Sequence, residues 1–155
     1  MSNLFMARAI ALSIDSARSG LGGPFGAVVV RDAKVIAEGI NRVTSTNDPT
    51  AHAEIVAIRE ACRTLGLFEL KGCEIYTSCE PCPMCLGAIY WARPDRIYFA
   101  NTSADAAKIG FDDSFIYQEI AQPHPHRKIP MIPMMREEAL EAFHLWRDKS
   151  DKVPY

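Results

Sequence analysis

A three-layer α/β/α sandwich around a central mixed sheet is the fold this sequence predicts. Three observations carry it. Helical and strand patterns follow one another in the order α-β-β-α-β-α-β, the alternation of layered α/β domains. The first two strands are close enough to form a hairpin, whereas the later ones are separated by helices. The chain's 155 residues, 48% of them hydrophobic, supply a single domain with a sizeable core.

The elements follow in order. Leu4, Ala7, Ala11, Ile14 and Ala17 recur at helical spacing, which predicts a helix over about 3–19. Gly20 to Gly26 form a glycine-rich loop. It lacks the dinucleotide-binding fingerprint, because Phe25 stands where the third glycine belongs and the loop precedes a strand. It reads instead as a turn carrying backbone close past a site. Strands are predicted over 26–30 and 35–39, with a turn at 31–34. Asn47-Asp48-Pro49-Thr50 is turn and cap chemistry ahead of a helix from about Ala51 to Leu65, which Gly66 stops. Glu74 to Thr77 read as a buried strand. Glu80 to Trp91 read as a helix with Pro81 in its first turn, where a missing N–H does no harm. Arg96 to Ala100 form the next strand, and Ala121 to Pro133, with four prolines, is linker-like and leads to a helix at about 136–147.

Composition narrows the function classes. Formal net charge is −2, and the 17 Lys and Arg are scattered among 19 Asp and Glu with no basic run longer than Arg127-Lys128. A small-molecule partner is therefore expected, and no nucleic acid. Met1 to Met6 show no basic leader before an apolar stretch, and no segment approaches a membrane span. A cytoplasmic, reducing setting is the default, with no membrane partner. Five cysteines fit a disulfide framework poorly; Cys62 and Cys73 read as core thiols.

Chemistry is concentrated in His52-Ala53-Glu54 and in Glu80-Pro81-Cys82-Pro83-Met84-Cys85. One imidazole and two thiolates, His52, Cys82 and Cys85, are donors that zinc prefers; iron or cobalt fits the same set, magnesium and manganese do not. Three protein ligands leave a fourth position for water, which marks a catalytic zinc site, with Glu54 as the general acid/base. A structural zinc site needs a fourth ligand, for which Cys79 is the only nearby candidate, and a redox Cys-x-x-Cys needs no His-x-Glu. Residues two apart do not share a helix face, so His52 and Glu54 meet one metal only at a helix mouth. Two helix N-termini aimed at one point favour thiolates there. His124 and His126 have ligand-like spacing but read as solvated loop histidines.

His-x-Glu followed by Pro-Cys-x-x-Cys is the signature of zinc nucleobase deaminases, and the chain resembles the cytidine-deaminase-like superfamily. Pro24 to Val28, Asn47 to Glu54, Thr77 to Pro94 and Ile109 to Tyr117 are similar to the bacterial guanine deaminases of that superfamily, nearly end to end. The resemblance implies hydrolysis of guanine to xanthine and ammonia, with Zn2+ as cofactor and Glu54 carrying protons to a ring nitrogen and the leaving amine. Within it, guanine's N1–H and 2-amino group form a donor pair suited to a carboxylate, which points to Asp113, with Asp112 the nearest alternative. The resemblance further implies that Asn41 contacts the purine, that Phe25 and Trp91 are aromatic walls, and that Tyr155 closes the pocket.

Other readings stand beside this one. A guanosine deaminase shares Gly110-Phe111-Asp112-Asp113 and tolerates a ribose; Ser114 to Tyr117 favour the free base. A transfer-RNA adenosine deaminase shares the zinc motif but wants basic surface. A non-catalytic zinc scaffold needs a blocked fourth position, and triazine rings present the same amidine. The resemblance also implies a homodimer; by its proline-rich composition Pro123 to Pro133 reads as a hinge handing residues 134–155 to the partner subunit, or else as a plain surface loop.

Overall fold

Residues 3–155 are described by the structure, a computed structural model. Helix α1 (Leu4–Ser19) begins where the Asn3 side chain accepts the N–H groups of Phe5 and Met6, and it ends at Gly20. Strands β1 (Gly26–Arg31) and β2 (Lys34–Ile40) pair antiparallel. Their turn is Asp32 and Ala33 alone, both with positive φ, so it is two residues shorter than the sequence indicated. A short helix not anticipated from the sequence, α2 (Val43–Thr46), precedes α3 (Ala53–Leu65), which begins two residues later than expected and stops at Gly66.

Strand β3 (Cys73–Cys79) runs two residues beyond its expected end. Helix α4 (Pro83–Ala92) corrects the expectation more sharply: Pro83, not Pro81, lies in its first turn, and Cys82 is its N-cap. The reason is local. A residue before proline is pushed out of the helical region, and Cys82 takes φ −66°, ψ 167° ahead of Pro83. Strand β4 (Arg96–Asn101) and a second unanticipated helix, α5 (Ser103–Lys108), follow; α5 opens with a Thr102–Asp105 capping box.

The sheet order is β2-β1-β3-β4, with β1 antiparallel to both neighbours and β3 parallel to β4, which makes the predicted mixed sheet. Side chains alternate across it. Ala27, Val29, Cys73 and Ile75 pack with Ala53, Ala57 and Ala61 of α3 and Ile89 of α4 on one face. Val28, Val30 and Tyr76 pack with Ala9 and Leu12 of α1 on the other. These are the three layers. Burial of each large side chain such as Ile75 contributes about 1.5–3 kcal/mol.

Direction positions the site. Since β1 opposes β2 and β3, those two strands run the same way, as does β4. All three deliver their C-terminal ends to one rim of the sheet, where β1 begins. The chain enters α3 and α4 from that rim, so the N-termini of both helices lie there.

By internal contacts the chain divides into a unit ending at Ser114 and a second, Phe115–Tyr155. The second holds all but the first residue of α6 (Ser114–Ala121), a 3-10 turn at His124–His126, and α7 (Arg136–Asp148). The stretch read as linker-like is irregular apart from that turn. Arg127 ties it to α6, donating to the carbonyls of Ile120 and Gln122 at 3.1 Å each. No residue of this unit is buried.

Candidate metal centre and active site

His52 and Cys82 hold equivalent positions, each the N-cap of the helix that leaves the rim, α3 and α4. Cys85 stands three residues on from Cys82, and its N–H approaches Cys82 Sγ at 3.5 Å. Helix α4 thus presents two sulfurs from its first turn. His52 Nδ1 lies 3.5 Å from Cys82 Sγ and 3.5 Å from Cys85 Sγ, and the three donor atoms all fall within 4.8 Å of one another. The helix-mouth arrangement expected from the sequence is the one observed.

These donors fit zinc. Zn–S bonds of about 2.3 Å and a Zn–N bond of about 2.05 Å, set tetrahedrally, separate sulfur from nitrogen by about 3.55 Å, which matches the two measured distances. The Cys82 sulfur accepts from Cys85 and from His52 and is drawn down to about 4. Cys85, beside that sulfur and buried, is pushed up; His52 is also raised, chiefly by its bond to Cys82.

No other described residue joins the cluster. Cys79, the one candidate fourth ligand, points its thiol to the Thr102 carbonyl at 3.6 Å and is pushed up to about 11 by burial. A closed four-ligand site is therefore not what these residues build. His124 and His126 are exposed in the second unit and are absent from the cluster.

Glu54 lies in the first turn of α3, buried, at the edge of the cage. Its Oε2 is 3.5 Å from Cys85 Sγ, and its Oε1 is 3.4 Å from Thr77 Oγ1. Burial raises its affinity for a proton, as suits a group that must hold and release one.

The same rim gathers candidate substrate contacts. The Asn41 N–H donates to the Phe25 carbonyl at 3.2 Å, which places those residues side by side. Asn41 is buried, and its Oδ1 accepts the N–H groups of Gly23 and Val43 at 3.1 and 3.2 Å. With its oxygen so engaged, its NH2 is the end left to face a ligand. Gly22 makes the closest approach of the glycine-rich loop, since a Cβ there would meet the Asn41 carbonyl oxygen at 2.1 Å. Phe25 meets Phe111 edge to face, ring centroids 4.9 Å apart; the sequence reading had not singled out Phe111 as a wall.

The two neighbouring aspartates separate clearly. Asp112 Oδ1 accepts the Ser114 N–H at 2.9 Å, a local cap at the start of α6, and this holds its carboxyl below the usual range. Asp113 is half-buried and its carboxyl is raised, first by burial and then by the negative charge at Cys82. Trp91 is exposed at the far end of α4, about 9 Å along the helix axis from Cys85. Tyr155 is exposed and belongs to the second unit.

Sequence reasoning missed three contributors. Thr77 reads as an ordinary β-branched strand residue. Glu80 Oε2 accepts the Ser103 N–H at 2.9 Å and so joins the end of β3 to the start of α5. Gly39 allows α3 to lie against β2, for a Cβ there would sit 2.2 Å from the Ala53 carbonyl oxygen.

Comparison with known proteins agrees with this geometry. Residues 1–101 match the model of the cytidine and deoxycytidylate deaminase zinc-binding region. Guanine deaminase of Bacillus subtilis (strain 168) is 54% identical over 151 residues, 97% of each chain. The X-ray structure of guanine deaminase from Bacillus subtilis superposes with a TM-score of 0.97 at 53% identity, covering 100% of this chain and 99% of that one. A structure of guanine deaminase from Nitrosomonas europaea gives a TM-score of 0.66 at 32% identity, over 89% of this chain and 70% of the other. A tRNA-specific adenosine deaminase of Agrobacterium fabrum is 51% identical, but over only 76 residues, 49% of this chain and 50% of that one.

Proposed function

The chain belongs to the cytidine and deoxycytidylate deaminase zinc-binding family, and from that premise we propose that it hydrolyses guanine to xanthine and ammonia with Glu54 as the proton carrier. One observation carries the reading. A three-donor cage with no fourth protein ligand among the described residues stands beside a buried carboxylate. The sequence likeness to guanine deaminase spans 97% of the chain at 54% identity, whereas that to the tRNA enzyme of Agrobacterium fabrum covers 49% of it.

His52, Cys82 and Cys85 are the residues that hold zinc, which when bound supplies Lewis acidity and a water that is nucleophilic near neutral pH. Glu54 does the rest of the proton work. Its carboxylate takes one proton from the attacking water and passes it to the ring nitrogen beside the amino-bearing carbon, then takes the second from the hydroxyl now on that carbon and passes it to the departing amine. One water is consumed and one ammonia leaves, so protons balance. Asp113 accepts from N1–H and the 2-amino group, and the Asn41 NH2 donates to an acceptor on the ring. Phe25 and Trp91 are the aromatic walls that flank the base. Bases that lack the donor pair leave Asp113 unpaired, which disfavours them strongly.

The assembly is a homodimer in which residues 134–155 pass to the partner subunit. What supports this is the second unit's composition: Ile129, Ile132, Met134 and Phe143 are each more than two-thirds exposed on one chain. The setting is cytoplasmic and the role is in purine breakdown. No helix of the described residues is long and apolar enough to cross a membrane.

The test is release of ammonia, with xanthine formed from guanine or xanthosine from guanosine, measured side by side with Glu54→Ala as control. Turnover of guanine alone, lost in Glu54→Ala with zinc still bound, is the expected result. Turnover of guanosine would shift the reading to the nucleoside, and an active Glu54→Ala enzyme would remove that residue from its role.

A further inference from the structure

Thr77 lies within β3, 1% exposed. Its neighbours on both sides hold the backbone rigidly, since it pairs with Ala27 of β1 and Phe99 of β4. It shares a sheet face with Cys73 and Ile75, the face covered by α3, and so looks toward Glu54. Its hydroxyl meets two oxygens, the Cys79 carbonyl at 3.0 Å and Glu54 Oε1 at 3.4 Å. One hydroxyl has one proton to give, so the two oxygens compete for it.

The two oxygens of Glu54 therefore have unlike surroundings. Oε2 faces Cys85 Sγ at 3.5 Å, and a metal-ligating thiolate has no proton to donate. Oε1 faces a hydroxyl that has one. We propose that Thr77 is the positioning residue for Glu54, its hydroxyl holding Oε1 so that Oε2, on the side of the metal cage, is the oxygen that picks up and hands on the proton. A carboxylate is a stronger acceptor than a carbonyl, so Oε1 competes for that proton against the nearer Cys79 carbonyl. Thr77 keeps its own proton throughout and is no link in a relay. The 3.4 Å contact is long for O–H···O, as catalytic hydrogen bonds are before substrate closes on them.

This inference rests on Glu54 being the proton carrier, and the test separates the two. Thr77→Val keeps the branched shape and loses the hydroxyl; Thr77→Ser keeps the hydroxyl and loses the methyl. With guanine as substrate, Thr77→Val is expected to lower kcat about 10- to 100-fold, with KM and zinc content unchanged, and Thr77→Ser to recover most of the loss. Wild-type kcat in Thr77→Val, or a serine variant no better than valine, overturns the proposal. Should Thr77→Val not stay folded, kcat per bound zinc in Thr77→Ser against Thr77→Ala decides, and equal values overturn it. Glu54→Gln is measured alongside. Activity surviving there would overturn the carrier reading itself, whereas an inactive Glu54→Gln beside a fully active Thr77→Val overturns only the role of Thr77.

Discussion

Gly39 of β2 presses against the carbonyl of Ala53, the first residue of α3, so closely that a methyl group on Gly39 would lie 2.2 Å from that oxygen and 2.6 Å from the Ala57 nitrogen. Both obstacles are backbone, so they cannot swing aside. Ala53 lies between His52 and Glu54. Gly39→Ala must therefore push the mouth of α3 off the sheet. We expect a loss of about 1–3 kcal/mol or more in stability, measured by denaturant unfolding, together with a lower zinc content after dialysis. A variant that retains both would show that α3 can shift as a rigid body without moving its first turn.

Asp113→Asn exchanges an acceptor of two hydrogen bonds for a group that accepts at only one end. A hydrogen bond to a charged group is worth about 1.5–3 kcal/mol, so kcat/KM for guanine should fall about 10- to 150-fold. Asp112→Asn should leave kcat/KM nearly as it is, because that carboxylate serves the Ser114 N–H. Reversal of the two results would exchange their roles. Asn41→Asp is a further probe, as it keeps the oxygen that Gly23 and Val43 require and removes the NH2. It should fold and bind zinc while its KM for guanine rises.

The capping box of α5 gives a dependence on acid. Asp105 accepts from Lys108 at 2.9 Å and from the Thr102 hydroxyl and N–H at 2.8 and 3.1 Å, which lowers its carboxyl to about 2. An unfolded aspartate titrates near about 3.9. The group's stabilising effect is thus complete above about pH 4 and is lost as pH falls toward about 2. Urea midpoints of the wild type and Asp105→Asn should differ at pH 5 and converge as the solution is acidified. A constant gap would separate Asp105 from the cap.

The proposed homodimer is open to direct measurement. Light scattering should give twice the 17.2 kDa of one chain. Removal of residues 134–155 should leave a monomer with little activity on guanine, whereas a truncated dimer would detach this segment from assembly. Deleting only Val153 to Tyr155 should raise KM with the dimer intact; unchanged kinetics would take Tyr155 out of the pocket.

The clustering of His52, Cys82 and Cys85 and the place of Glu54 beside them were legible in the sequence because they lie in two short stretches whose residue types admit few other chemistries. The sheet was legible through alternation, and α1 and α3 through their period and their glycine stops. The helices α2 and α5, at four and six residues, are too short to show a period. The start of α4 was misplaced because either Pro81 or Pro83 could open a helix; only the restriction that Pro83 imposes on Cys82 decides it. Thr77 and Gly39 were illegible for a different reason. Their importance lies in what another strand or helix places against them, and neighbours distant in sequence leave no local pattern.

The two-residue turn of Asp32 and Ala33 closes the hairpin at the end of the sheet opposite the rim that bears the zinc ligands and Asn41. His52, Glu54, Cys82 and Cys85 stand at the other ends of the strands, where α3 and α4 begin. A peptide tether or reporter module spliced into that turn would hang from the reverse side of the sheet. An immobilised catalyst anchored this way would keep its reactive rim turned toward the passing solution.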